Sequence, residues 1–316
     1  MAVYNGERYL KWAVESILAQ SLQDFQFIFV DDGSTDRSLT LLHQYARRDP
    51  RIHLISLPHA GLTRSLNIAL SSATGEFLAR MDADDIARPE RFAEQVAFLD
   101  AHPDIVLVGC GYELIDTKDR ILETVIPVAD DQTIQDRHLR GLTTICHPCV
   151  MARRQSLTGI GGYDESYPVA QDLDLYLRIG ETGKLANLPA VLMKYRYHSH
   201  STSDTRRELQ LQCMRDATER AWKRRGITGE FEVQEHWRPG NDAEALYFFA
   251  LGVGHRAYLA GHRRTAIIYA LKAVYRRPFR KLGWRLLIYS LFKRITPPVV
   301  SDGGEVGVRE AGSSTH

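Results

Sequence analysis

Residues 77–85 read Phe77-Leu78-Ala79-Arg80-Met81-Asp82-Ala83-Asp84-Asp85, a short apolar run that ends in three carboxylates within four residues. Taken as a buried strand, the run puts those acids just past its carboxyl end, where open α/β sheets bind ligands. Carboxylate oxygens are hard ligands that suit Mg2+ or Mn2+, and such ions usually arrive bridged to a substrate diphosphate. An isolated acid-x-acid triplet is also what a solvated turn looks like, because Asp is common in loops. The surrounding chain decides between the two.

Upstream, Leu10, Ala13, Val14, Ile17 and Leu18 recur at helical spacing. Phe25-Gln26-Phe27-Ile28-Phe29-Val30 is a β-rich run closed by the turn residues Asp31-Asp32-Gly33-Ser34-Thr35-Asp36. Ser34 or Thr35 can cap the helix that follows at Leu39, Leu42, Tyr45 and Ala46. The pattern predicts a strand at Ile52-His53-Leu54-Ile55, a helix over 62–72 and a strand over 77–81. Pro89 suits the first turn of a helix through Phe92, Val96 and Leu99, and a strand follows at Ile105-Val106-Leu107-Val108-Gly109. Strands alternating with helices of roughly ten to fifteen residues predict a parallel α/β sheet. A buried strand runs to about five residues, yet only Met1-Ala2-Val3 precedes Tyr4-Asn5, so the first strand is expected to be clipped.

The chain has 316 residues, 44% hydrophobic and 25% charged, which is a globular composition large enough for one big core or two smaller ones. Its formal net charge of +1 hides an asymmetry: from Ala245 to Ser301 there is no Asp or Glu, and every charge there is Lys or Arg. Four cysteines do not make a disulfide framework, and Cys146-His147-Pro148-Cys149 lacks the second pair a zinc site needs, so buried thiols are expected. No secretory signal is visible and no run reaches the roughly 18–20 apolar residues of a spanning helix. The expected location is cytoplasmic, with peripheral attachment to the inner face of the cell membrane as a further option. Beyond about Thr205 the pattern is helical, over 207–224, 243–261, 263–275 and 281–295, and residues 297–316 read as a disordered tail.

These residues resemble glycosyltransferase family 2, nucleotide-sugar-dependent enzymes of the GT-A fold. The resemblance rests on Val3-Tyr4-Asn5-Gly6, Val30-Asp31-Asp32-Gly33-Ser34-Thr35-Asp36, Gly75-Glu76-Phe77 and Met81-Asp82-Ala83-Asp84-Asp85 with Pro89. It continues through His147-Pro148, Gly161-Gly162-Tyr163-Asp164-Glu165, Gln171-Asp172-Leu173-Asp174-Leu175-Tyr176-Leu177-Arg178 and Arg196-Tyr197-His198, in the family's order over about residues 1–204. It implies a GT-A-type, mostly parallel central sheet flanked by helices over 1–204, beside which the residue pattern sets the all-helical basic region (205–296) and the tail (297–316).

The resemblance also implies roles that physical chemistry makes sensible. Tyr4 would stack on a nucleobase, and Asp32 would accept the imide N–H of uracil or thymine, favouring a UDP- or dTDP-sugar; a carboxylate also reads guanine, so GDP stays open. The alternative for Asp31 and Asp32 is turn formation and capping, the role expected of Asp36. Asp84 would hold the divalent metal, Mg2+ or Mn2+, with Asp82 helping on the nucleotide side. Asp85 points at the sugar or is an exposed acid. Arg64 and Arg80 are phosphate or sugar contacts or else surface salt bridges. Asp172 would be the general base, although the family's Glu-Asp is Gln171-Asp172 here; otherwise it caps its helix. Arg196 and His198 could reach diphosphate or metal when a loop closes.

The basic helical region either lies on an anionic membrane surface, beside a lipid-linked acceptor, or packs on the sheet domain or another subunit. No nucleic-acid reader motif accompanies it. The Gln-x-x-Arg-Trp of processive synthases is not matched, since Gln234-Glu235-His236-Trp237-Arg238 reverses the last two, so addition of a single sugar to a glycan is expected. The rivals are a non-catalytic nucleotide- or glycan-binding protein and a sugar-nucleotide pyrophosphorylase, which would carry a Gly-rich basic loop near its start.

Overall fold

The computed structural model describes residues 1–197, 207–232 and 243–293. Its first half alternates β1 (Ala2–Val3), α1 (Leu10–Leu18), β2 (Phe27–Asp32), α2 (Ser38–Ala46), β3 (Ile52–Leu57) and α3 (Leu62–Ser72). The three strands form a parallel sheet in the order β1-β2-β3, with Ala2 opposite Val30 and Phe27 opposite Ile52. All six residues of β2 are buried. A parallel strand covered on both faces reads as one continuous apolar run, which is why this segment was legible. Asp31 and Asp32 are the last two residues of β2 rather than turn residues.

β4 (Phe77–Ala79), β5 (Ile86–Ala87), α4 (Arg91–Ala101), β6 (Ile105–Ile115), β7 (Ile121–Val125), α5 (Asp131–His138), β8 (Met151–Arg153), α6 (Arg154–Gly159), α7 (Gln171–Ile179) and β9 (Lys184–Arg196) follow. Their strands form a mixed second sheet, β4-β8-β6-β9-β5, with β7 on β6. Only β6 and β9 pair in parallel; the other contacts are antiparallel. The expected parallel order therefore holds in the first sheet, and antiparallel partners extend the second. β9 was not foreseen because Pro189 interrupts it. The ladder skips there: Cys110 faces Leu188 and Gly111 faces Val191, a bulge that accommodates the missing N–H. A Cβ on Gly111 would sit 3.1 Å from both the Pro189 and Ala190 carbonyls, so glycine lets β9 pass.

The C-terminal helices α8 (Arg207–Arg225), α9 (Ala243–Leu259), α10 (Arg263–Arg276) and α11 (Lys281–Phe292) match the helical pattern. They are not detached from the sheets. Ala217 and Ala221 of α8 pack on Leu173 and Leu177 of α7, while Tyr247, Ala250 and Val253 of α9 share a core with Leu114 and Leu122. The residues 297–316 read as a tail, the 204/205 boundary and Gln234–Arg238 lie outside the described residues. All four cysteines are free thiols, with Cys110 and Cys149 buried. Among the described residues no helix is long and apolar enough to cross a membrane.

Candidate active site

β4 ends one residue before Arg80, whose N–H still bonds the Val150 carbonyl at 2.9 Å, and the chain then turns through Asp82-Ala83-Asp84-Asp85 into β5. Beneath the turn, Arg91 is fully buried, and its guanidinium donates to the carbonyls of Arg80 (2.8 Å) and Val150 (3.1 Å) and to Gln95 Oε1 (3.0 Å). The acidic loop thus rests on a rigid floor. One carboxylate oxygen from each of Asp82, Asp84 and Asp85 lies within 4.8 Å of the others.

These three acids are not equivalent. Asp82 is held in a two-point contact by Arg80, with Nη1 donating to Oδ2 at 2.7 Å. Asp85 is fully buried, which removes its reading as an exposed acid: the strand behind it, β9, covers it. Its Oδ1 accepts the Arg196 N–H at 2.8 Å, and its buried Oδ2 has no hydrogen-bond partner. Burial, and then the charges of Asp84 and Asp82, push the Asp85 carboxyl well above the usual range. Asp82 moves the same way by burial, although Arg80 opposes the shift. A divalent cation among these oxygens would supply both the missing countercharge and a partner for Asp85 Oδ2. The donor set fits a hard ion that keeps part of its water shell. The cluster could hold a divalent metal.

Arg196 differs from its expected role. It is 2% exposed, and its guanidinium donates to the Asp84 carbonyl (2.7 Å), the Asp116 carbonyl (2.9 Å) and Asp119 Oδ1 (2.6 Å) while lying over the Tyr9 ring. With these partners it braces the acidic loop instead of facing open cleft for a diphosphate. Asp116 in turn accepts from the Tyr269 hydroxyl of α10 at 2.9 Å. Arg64 is exposed on α3 and pairs with no described residue. His198 lies outside the described residues.

At the end of β2, Asp32 is buried against the start of α3. Its carboxylate accepts from Ala60 N (2.7 Å) and Gly61 N (3.0 Å), and His59 Nδ1 stands 2.9 Å from Oδ2. The half-exposed Tyr4 stacks on His59, ring centroids 4.3 Å apart. Asp36 shapes the turn before α2, with Oδ1 accepting Ser38 N at 2.9 Å and Oδ2 accepting Glu7 N at 3.0 Å, but the cap position itself is Arg37. Ser34 does not cap α2, because its hydroxyl accepts the Asn5 N–H instead.

Asp172 stands in the first turn of α7, partly exposed, with Oδ1 accepting the neighbouring Leu173 N–H at 3.0 Å. It is not the cap; that position is Ala170, whose φ of 57° is left-handed. Burial raises the Asp172 carboxyl above its ordinary range, while the Leu173 N–H and the charge of Arg80 pull it back. Arg80 therefore acts on both the acidic loop and Asp172. His147, buried nearby, meets the Tyr163 hydroxyl at 2.9 Å through Nε2 and is kept neutral by burial and then by Arg80. Asp174 turns away to Arg178, which ties the turn at Ile160 and Gly162 to α7. Among the described residues only Asn5, Asp119 and Ala170 are non-glycines with positive φ, and each adjoins a residue just described. Backbone strain of this kind concentrates at functional sites.

Sequence reading missed His59 and Arg91 as parts of this site, and held Tyr163 only as a motif residue without a role. Their signal is tertiary: each is recognised by the partner it reaches, not by its neighbours in the chain.

Residues 1–161 match the model of Glycosyl transferase family 2. The chain belongs to this family. The amylovoran biosynthesis glycosyltransferase AmsE of Erwinia amylovora is 30% identical over 210 residues, covering 65% of this chain and 78% of AmsE. Two solved structures share the fold of this family 2 protein at low sequence identity. S. aureus TarS 1–349 in complex with UDP has a TM-score of 0.53 at 17% identity, over 91% of this chain and 89% of TarS. The mannosyltransferase PcManGT from Pyrobaculum calidifontis, in complex with GDP-Man and Mn2+, has a TM-score of 0.55 at 18% identity, over 92% of this chain and 79% of that one. The fold is GT-A and the protein is a glycosyltransferase.

Proposed function

We propose that this family 2 enzyme transfers one sugar, with inversion, from a UDP- or dTDP-sugar to a lipid-linked glycan during cell-surface polysaccharide synthesis, at the inner face of the membrane. The observation that carries this reading is the position of Arg80, paired with Asp82 of the acidic loop and close enough for its charge to favour the ionised form of Asp172. An inverting displacement needs a base on the acceptor side and charge stabilisation on the leaving-group side, and one cation near both carboxylates favours their ionised forms. The polysaccharide setting is supported by the name of AmsE, and the nucleotide donor by UDP and GDP-Man in the two structural neighbours. The division into a catalytic domain over 1–204 and a helical region over 205–296 accompanies this reading.

In the proposed step, Asp172 accepts the proton of the acceptor hydroxyl as that oxygen attacks C1 of the donor sugar. The bond from C1 to the diphosphate oxygen breaks, and its electron pair stays with the departing nucleoside diphosphate. Asp84, with Asp82 and Asp85 beside it, would hold Mg2+ or Mn2+, which when bound neutralises charge on the diphosphate. Tyr4 and Asp32 would face the base, with Arg64, exposed on α3, meeting a phosphate. The pyrophosphorylase and binding-protein readings lack a comparable observation.

Donor turnover with Asp172→Asn tests the reading. Transfer should fall by about 10²–10⁴-fold, the usual contribution of a general base, with nucleotide affinity nearly unchanged. Unaltered turnover would overturn the assignment of Asp172.

A further inference from the structure

We infer that the outer face of α11 and the turn before it form a docking surface for an anionic lipid bilayer. A helix packed on a protein normally shows one apolar stripe and one polar face. α11 is apolar on two sides. Gly283, Leu286, Leu287 and Ser290 are buried against the rest of the chain, whereas Trp284, Ile288 and Phe292, spaced four residues apart, are 46%, 52% and 80% exposed on the opposite side. The turn continues this ridge. Phe279 is 98% exposed, and the Trp284 Nε1–H donates to the Pro278 carbonyl at 2.8 Å, which locks the turn beside the helix.

The charges around the ridge have one sign. Lys281 and Arg285 stand on the same outward side of the helix, and Lys293 lies 4.2 Å from the Tyr289 ring at its end. Glu244 pairs with both Arg277 and Arg280, at 3.2 and 2.7 Å, which leaves a net positive charge, and no acid follows it until after Ser301. An apolar ridge with a basic rim is the arrangement of helices that lie in the headgroup layer, with aromatic rings at the acyl boundary and cations on lipid phosphates. A second copy of the chain fits less well, since two such faces would bring like charges together. Nucleic acid would engage the rim but leave Ile288 and Phe292 in water.

The inference is independent of the transfer reading, because its test measures no activity. The full chain is floated with phosphatidylcholine vesicles and with vesicles that also contain phosphatidylglycerol. The protein should rise with the anionic vesicles only, and rising salt should weaken the association. The variant Phe279→Ser, Ile288→Ser and Phe292→Ser should lose at least tenfold in partitioning, as should Lys281→Glu with Arg285→Glu. All five side chains are exposed, so circular dichroism melts should match wild type. No flotation, or flotation unchanged by the serine variant, overturns the proposal. So does a dimer that the serine variant dissociates, or RNA binding that those substitutions abolish in place of vesicle binding.

Discussion

The His59 ring lies across Tyr4, with centroids 4.3 Å apart and planes inclined by 30°. Its Nδ1 also reaches Asp32 Oδ2 at 2.9 Å. An aromatic ring stacked on Tyr4 with a nitrogen at Asp32 has the two contacts proposed for a nucleobase, so His59 stands where the base is expected. His59→Ala should therefore strengthen UDP binding by about three- to tenfold, equivalent to one stacking or hydrogen-bond contact. Titration calorimetry measures it; weaker binding in the variant would mean that His59 supports the base instead of standing in for it.

Gly33 makes that arrangement possible. It has φ of 75°, and a Cβ there would sit 2.6 Å from the His59 backbone nitrogen. Gly33→Ala combines a left-handed conformation with a backbone clash, and should destabilise the protein by about 2 kcal/mol or more. UDP affinity should fall as well, because the clash moves Asp32 relative to α3. Denaturant unfolding that matches wild type would contradict the placement of this turn.

With Asp172 as the proposed base, Arg80 should set the acid limb of turnover. A general base works only when ionised, so activity should fall as pH drops through the raised pKa of Asp172. Arg80 favours the ionised form, and its removal in Arg80→Met raises that pKa further. The acid limb of kcat/KM should then move to higher pH, whatever the change in the plateau. A limb that stays in place would uncouple Arg80 from Asp172.

His138 governs stability in acid. It is buried at the end of α5, stacked on Tyr176, and burial, helped by the charge of Arg225, lowers its pKa from 6.5 to about 3. Between those values the unfolded chain binds a proton that the folded protein refuses. The contribution of His138 is complete above pH 6.5 and is lost as pH falls toward 3, with a slope of up to about 1.4 kcal/mol per pH unit. Urea titrations across that window should show a shallower slope for His138→Gln; parallel slopes would refute the assignment.

Local periodicity carried α1 to α4, the C-terminal helices and the runs of β2, β3 and β4, since each is announced by residues within a few positions of one another. Partners distant in the chain carried the rest. Arg196 and Asp85 are 111 residues apart, and nothing near either one signals their bond. β9 was hidden by Pro189, and β8 is only three residues long, visible through its pairing with β4 and β6. The motif residues Asp82, Asp84 and Asp172 were readable, but Arg80 as a neighbour of both Asp82 and Asp172 emerged only when β4 and α7 were in place.

The hydrogen bond between Tyr269 and Asp116 spans 153 residues of chain. Asp116 offers its carbonyl to Arg196, and Arg196 holds Asp84 and Asp85. The family match ends at residue 161, yet this chain of contacts runs to α10. Family ancestry and mechanical integrity therefore have different borders in this molecule. A transplanted or trimmed version that kept the shared segment alone would inherit the acids without the tether that keeps them facing one another, and recombination between relatives should tolerate exchange of α10 only where a hydroxyl reaches Asp116.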